Sequence, residues 1–126
     1  MKRLVLPVVL LALLAGCNNR YFRRAMSVAG EEVAYAALRT ALVAADVRSA
    51  DHFVDAVRYA VDKRDYGGAL ASFTVALAEH NLTPARKLTA REVTAVMRLA
   101  VPAVSRQSSK VGSVLSGFCD YVDSHS

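Results

Sequence analysis

The sequence predicts an all-α protein, a small bundle or helix-hairpin array of four to five helices that follows a cleaved N-terminal segment. Ala and Val are its commonest residues, and apolar residues recur at spacings of three and four, the period of an amphipathic helix. Turn-forming residues are few, and beyond Pro7 proline stands only at Pro84 and Pro102. These three observations favour helices over strands.

Residues 1–16 have the pattern of a secretory signal peptide. A basic start, Lys2-Arg3, leads into the apolar run Leu4–Gly16. As a helix this run is about 20 Å long, shorter than the roughly 30 Å hydrocarbon core of a bilayer. Pro7 within the run also disfavours a permanent membrane-spanning helix. Two alternatives stay open: cleavage by the general signal peptidase, and an uncleaved signal anchor.

The apolar run ends in Leu14-Ala15-Gly16-Cys17, which resembles the lipobox of bacterial lipoproteins. The resemblance implies that the Cys17 sulfur receives a diacylglycerol, that the chain is cut after Gly16 and that the new amino group is acylated. Two or three acyl chains make membrane attachment effectively permanent, and no cofactor other than this covalent lipid is expected. Asn18 follows Cys17, and by the enterobacterial sorting rule this implies export to the outer membrane, facing the periplasm.

Residues 17–26 are predicted to form a lipidated, basic-aromatic tether. Near an anionic bilayer each basic residue contributes about 1 kcal/mol of attraction, and aromatic rings suit the membrane interface. The alternative is a solvated tether whose charges contact nothing. The residues predicted to contact the membrane surface are Arg20, Tyr21, Phe22, Arg23 and Arg24.

The helical domain is predicted to occupy residues 27–126. Its first helix is expected to start at Ser27 and to end at the break Asp46–Ser49, where Ser49 is a candidate side-chain cap for a second helix over Ala50–Arg64. The predicted inward residues of these two helices are Ala34, Leu38, Ala41, Leu42, Ala45, Phe53, Val57, Ala60 and Val61.

A turn is predicted at Asp65-Tyr66-Gly67-Gly68, followed by a third helix from about Ala69 to His80. This stretch resembles the second helix of a tetratricopeptide repeat in one copy, although Val57 replaces the small residue of that repeat's first helix. Because a solenoid needs at least three repeats, the resemblance implies an antiparallel helix hairpin only. It is carried by Asp65, Tyr66, Ala69, Leu70, Phe73, Ala76 and Leu77, with Phe53 at the first aromatic position.

Thr89 and Glu92 have the spacing of a capping box, which predicts the start of a fourth helix. Pro102 is predicted to kink or end this helix, whose inward residues are Val93, Val96, Met97 and Ala100. A fifth helix is expected from about Arg106 to Val122.

The fifth helix carries an apolar stripe beside a strip of small residues. The stripe comprises Val111, Val114, Leu115, Phe118, Cys119 and Val122, and the small-residue strip comprises Ser105, Ser109, Gly112, Ser113, Ser116 and Gly117. Small residues allow another helix to approach closely. Two uses of the strip stay open: docking of a partner helix, or packing inside the domain.

No set of residues in the sequence predicts catalysis or a metal site. Among the histidines His52 has carboxylates nearby, Asp51 and Asp55, but acidic residues are common at a helix start because of the helix dipole. The sequence contains neither a Gly-x-Ser-x-Gly elbow nor a glycine-rich phosphate loop. With Cys17 lipidated, Cys119 is left alone, so an internal disulfide and a cysteine zinc site are excluded. Cys119 is predicted to be buried, with an exposed thiol that links two copies as the alternative.

The formal net charge is +5, and Lys2 and Arg3 contribute two of these charges. Because a nucleic-acid binder carries a denser basic stripe, we expect no nucleic-acid partner. The sequence predicts a membrane-anchored, non-enzymatic interaction or accessory protein of the bacterial cell envelope, attached to the bilayer by its acyl anchor and bound to a protein partner. Two alternatives stay open: a membrane-active or phage-exclusion lipoprotein that acts through Arg20–Arg24, and a small periplasmic enzyme.

Overall fold

The structure, a computed structural model, describes residues 20–83 and 86–126, with side chains from residue 29 onward. The predicted signal peptide and Cys17 lie outside the described residues, as does Pro84. The compact unit Glu31–Ser126 contains the hydrophobic core.

The described residues form five helices and no strand, so the predicted all-α class is confirmed. The helices are α1 (Arg20–Ala44), α2 (Ala50–Lys63), α3 (Tyr66–Leu82), α4 (Ala90–Gln107) and α5 (Ser109–Ser124). Two pairs of consecutive helices, α2 with α3 and α4 with α5, pack as antiparallel hairpins, and α5 also packs against α2 and α3.

Three phenylalanines connect α2, α3 and α5 at the centre of the core. The rings of Phe53 and Phe73 lie 5.1 Å apart, and those of Phe73 and Phe118 lie 5.9 Å apart, both edge to face. All three side chains are fully buried. Such aromatic pairs contribute about 0.5–1.5 kcal/mol each beyond the burial of their area, so this cluster ties the two hairpins together.

The first helix begins at Arg20, seven residues before the predicted start at Ser27. Residues 20–26, predicted as part of the tether, therefore have a helical backbone. Arg, Ala and Met favour helices, and no proline or glycine interrupts the chain before Gly30. At the other end α1 stops at Ala44, so Ala45, predicted to be inward, is exposed.

The predicted turn Asp65–Gly68 is wrong, because α3 already starts at Tyr66. Asp65 caps the helix, and its Oδ1 accepts the Gly68 backbone N–H at 3.1 Å. A Cβ on Gly68 would lie 2.6 Å from the Tyr59 ring, so this glycine lets α2 and α3 approach closely. The predicted side-chain cap at Ser49 is also wrong, since Ser49 adopts a left-handed conformation with φ of 61° and makes no side-chain cap bond.

The capping box at the start of α4 is confirmed. Glu92 N–H donates to Thr89 Oγ1 at 3.2 Å, and Thr89 N–H donates to Glu92 Oε1 at 3.0 Å. Pro102, however, does not end α4, which continues to Gln107. Pro102 faces solvent, and Ala100 and Val104 on either side are buried. Packing of these residues keeps the helix continuous although Pro102 has no backbone N–H to donate within it.

Ser108, and not the predicted Arg106, marks the start of the last helix. Its backbone is extended, with φ of −154° and ψ of 110°. Its N–H donates to the Val104 carbonyl at 2.9 Å, and its Oγ accepts the Val111 N–H at 3.3 Å. One residue therefore ends α4 and caps α5.

The small-residue strip of α5 is used inside the domain at its two glycines. A Cβ on Gly112 would lie 2.8 Å from the Ser105 Cα and 2.0 Å from its Oγ, and a Cβ on Gly117 would lie 2.5 Å from the Tyr66 hydroxyl. At Gly112 and Gly117 the strip therefore packs inside the domain, whereas Ser109 and Ser113 are exposed. The apolar stripe is buried except for half-buried Val114.

Candidate functional site

The residues predicted to contact the membrane surface, Arg20–Arg24, stand on the first turns of α1, and only their helical backbone is described. Cys17, the predicted lipidation site, lies outside the described residues. Within residues 20–83 and 86–126, no helix combines the length and apolarity that a membrane crossing requires.

The candidate site is a cleft of about 520 Å³ where two loops meet. One loop joins α1 to α2, and the other joins α3 to α4. We call it the His80 cleft, and its lining residues are Val43, Ala45, Asp46, Val47, Arg48, His80, Arg86 and Leu88.

His80 is a buried histidine at this cleft, only 2% exposed. Its Nδ1 lies 2.9 Å from the backbone nitrogen of Arg48 and accepts that N–H. In the neutral ring the proton is therefore on Nε2. This Nε2 is buried and has no hydrogen-bond partner among the described residues. A buried donor without an acceptor costs about 1–3 kcal/mol, so this nitrogen is a position where a water or another acceptor would be stabilised.

The loop between α1 and α2 is held to α3 by two groups of Arg48. Besides the backbone bond to His80, its guanidinium donates from Nη1 to Thr83 Oγ1 at 3.2 Å. Asp46 and Ser49, on either side of the buried Val47, adopt left-handed conformations with φ of 57° and 61°. Arg64, which ends α2, adopts the same conformation, so these left-handed residues mark the turns at helix ends.

Asn81 holds the end of the loop between α3 and α4, at Lys87 and Leu88. Its side-chain amide donates from Nδ2 to the Leu88 carbonyl, and its Oδ1 accepts the Leu88 N–H, both at 2.9 Å. Lys87 Nζ donates to the Asn81 carbonyl. Arg86 forms an ion pair with Glu92 at 3.1 Å. The second wall of the cleft is therefore held by side chains of α3 and α4.

The cleft combines cationic donors with an apolar wall. Arg48 and Arg86 bring two positive charges to the cleft, and Asp46 lines it with one carboxylate. The charge of Arg86 is already paired with Glu92, so Arg48 is the arginine of the cleft without a carboxylate partner among the described residues. Each guanidinium has five N–H donors, and the hydrogen bonds described above use one from each. The apolar wall consists of half-exposed Val43, with Val47 and Leu88. This arrangement suits an anionic group that has apolar neighbours.

A second groove, between α2 and α3, contains the His52 cluster. His52 Nδ1 forms an ion pair with Glu79 Oε2, and Asp55 and Ser72 line the same groove. Among the described residues, Ser72 makes no hydrogen bond to His52 or Glu79. Among the described residues no group of three His, Cys, Asp or Glu side chains is placed to hold a metal ion. The His52–Glu79 pair is a partly exposed surface contact.

Cys119 is fully buried, as predicted. Its Sγ lies 3.9 Å from the Thr94 carbonyl oxygen, and burial raises the pKa of the thiol to about 12. An exposed thiol that links two copies is therefore contradicted.

Sequence reasoning missed His80 because no carboxylate or second histidine lies at a helical spacing from it. One signal was present: His80 follows Phe73 and Ala76 by seven and four residues, which places it on the buried face of α3. A histidine on an apolar face needs hydrogen-bond partners, and here Arg48, from a loop distant in sequence, provides one.

No protein-family model, no curated protein and no solved structure matches the chain. The resemblances to lipoproteins and to a tetratricopeptide hairpin stay predictions from the sequence.

Proposed function

We propose that the protein is a lipid-anchored, non-enzymatic accessory protein of the bacterial cell envelope, whose helical domain binds a protein partner at the His80 cleft. The anchor is the lipid on Cys17, and the Leu14–Cys17 motif supports an outer-membrane location facing the periplasm. The observation that carries the proposal is the cleft itself, which joins an apolar wall to two arginines with free donors.

Binding fits the described side chains better than catalysis does. A general acid–base or nucleophilic mechanism needs reacting groups within hydrogen-bond reach of one another. Among the described residues, Ser72 makes no hydrogen bond to the His52–Glu79 pair, and the Cys119 thiol is buried with a raised pKa. The His80 cleft offers hydrogen-bond donors and apolar contact, which is what recognition of a peptide segment requires.

The position of the cleft suits an anchored protein. Glu31 and Val43 are twelve residues apart on α1, which corresponds to about 18 Å of helix. Along the sequence, the Glu31 end of this part of α1 leads to the anchor. The cleft lies at the other end, beside Val43.

The helical backbone of residues 20–26 supports contact with the bilayer surface as part of the same proposal. On a helix, positions three and four apart align, so the basic and the apolar positions of this segment fall on opposite sides. A basic amphipathic helix next to an acyl chain strengthens attachment to an anionic membrane. The basic positions are Arg20, Arg23 and Arg24, and the apolar positions are Tyr21, Phe22, Ala25 and Met26.

Photocrosslinking in producing cells tests partner binding at the cleft. A photoreactive amino acid replaces Val43, which is 50% exposed at the cleft, and in a matched control replaces Leu99, which is 82% exposed on α4 and does not line the cleft. We expect a discrete protein adduct from position 43 and none from position 99. Equal adducts from both positions, or none from position 43, would contradict binding at the cleft.

A further inference from the structure

We propose that the His80 cleft recognises a carboxylate-bearing peptide segment, in which one Asp or Glu side chain stands between apolar residues. This inference rests on the proposed function, because it names the chemistry of the partner that the cleft binds. The occupant is a protein segment with this local composition, and a free anion is an outcome that the test below can reveal.

The first step is that the two arginines of the cleft have donors that a carboxylate can accept from. Arg48 has no carboxylate partner among the described residues; its guanidinium donates to the neutral hydroxyl of Thr83. Arg86 pairs with Glu92 through Nη2, and its side chain is 81% exposed, so other donors stay accessible. Arginine donors form charge-assisted hydrogen bonds with carboxylates and match their planar geometry. Asp46, which lines the cleft, and Glu92, which pairs with Arg86, are the opposing charges, and they limit the affinity for an acidic ligand.

The second step is that the cationic side is held in position before any ligand arrives. His80 accepts the backbone N–H of Arg48, and Thr83 accepts from its guanidinium. Asn81 fixes Leu88, two residues beyond Arg86, through two hydrogen bonds. Ordered donors lose less conformational entropy on binding, so affinity increases. His80 acts here as a positioning residue for Arg48.

The third step concerns the residues beside the carboxylate. The Val43, Val47 and Leu88 wall is apolar, and Val43 is half exposed. Apolar neighbours of the acidic residue would cover this wall and exclude water from the arginine–carboxylate contact, which strengthens it. A strongly acidic segment without apolar residues would leave the wall exposed.

The test pans a random dodecapeptide library, displayed on phage, against the full chain in detergent micelles. We expect Asp or Glu flanked by apolar residues to be enriched in the bound peptides. Arg48→Gln should abolish this acidic preference, whereas the matched control Arg106→Gln, on the exposed end of α4, should keep it. Asp46→Asn should raise the affinity for the enriched peptide, because it removes one of the opposing charges.

One enriched peptide is then measured against its Glu→Gln or Asp→Asn version, and we expect binding to weaken about tenfold or more. Three results would overturn the inference: no enrichment of acidic residues, an acidic preference that survives Arg48→Gln, or displacement of the peptide by an equal concentration of inorganic phosphate. If position 43 gives a protein adduct and any of these three results is also obtained, binding of a partner at the cleft is still supported. Only the inference that the partner presents a carboxylate is then refuted.

Discussion

The imidazole of His80 on α3 accepts the backbone N–H of Arg48, 32 residues earlier in the chain, at 2.9 Å. This bond joins the loop between α1 and α2 to the buried face of α3. It also sets the tautomer of His80, since a ring nitrogen that accepts cannot carry the proton in the neutral form.

His80→Ala should lower the free energy of unfolding by about 2–4 kcal/mol, because it opens a cavity and leaves the Arg48 N–H without its acceptor. Chemical denaturation monitored by circular dichroism measures the change. The matched control is His52→Ala, which removes a partly exposed ion pair and should cost at most about 1 kcal/mol. Equal, small losses in both variants would contradict the structural role of His80.

Gly112→Ala should destabilise the domain by about 1–3 kcal/mol, because the new Cβ meets the backbone of Ser105 and the two helices must separate. Gly67→Ala is the control of opposite sign. Its Cβ would meet nothing closer than 3.5 Å, in the first turn of α3, so the alanine should stabilise by about 0.5–1 kcal/mol. Thermal unfolding of both variants checks the pair, and a neutral Gly112→Ala would mean that α4 and α5 do not approach closely here.

Asp123 should make stability depend on pH in the acid range. The Arg98 guanidinium, 2.8 Å away, and the Thr94 hydroxyl, 2.7 Å away, hold the pKa of its carboxyl below the usual range. A carboxyl whose pKa is lower in the folded than in the unfolded protein stabilises the fold at pH values above its unfolded-state pKa of about 4. This contribution is lost as the pH falls through the folded-state pKa.

The stability difference between wild type and Asp123→Asn should therefore be largest near pH 7 and should shrink below about pH 4. Urea unfolding at a series of pH values measures it. Asp55→Asn, which changes an exposed carboxylate that forms no ion pair among the described residues, should show no such convergence. A difference for Asp123→Asn that is constant from pH 7 to pH 3 would refute the assignment.

The Cys119 thiol should not react with iodoacetamide at pH 8 in the folded protein, because it is buried and the thiolate forms only near its raised pKa of about 12. The Cys17→Ser variant leaves Cys119 as the sole thiol. Alkylation detected by mass spectrometry should be complete in guanidinium and absent without it. Rapid alkylation of the folded variant would place the thiol at the surface.

The sequence predicted the elements whose signals are local. The capping box of Thr89 and Glu92 marks the start of α4 correctly, and the apolar period of α5 identifies Leu115 and Phe118 as core residues. Both signals depend on side chains a few residues apart, so they persist in the folded chain.

The wrong expectations have tertiary causes. Gly67-Gly68 predicts a turn, yet both residues are in the first turn of α3, where Gly68 lies against the Tyr59 ring of α2. Pro102 predicts a kink or a helix end, and α4 does not end there, because buried residues on both sides keep it continuous. The His80 cleft joins two loops more than 30 residues apart, and no local pattern reveals that Arg48 meets His80.

The most direct test of the central claim, a lipid-anchored accessory protein, is metabolic labelling with an alkyne-bearing palmitate in cells that process lipoproteins. We expect label on the wild type and on Cys119→Ser, since Cys119 is buried, and none on Cys17→Ser, which lacks the acceptor sulfur. An unlabelled wild type, or a Cys17→Ser variant labelled as strongly as the wild type, would contradict the claim.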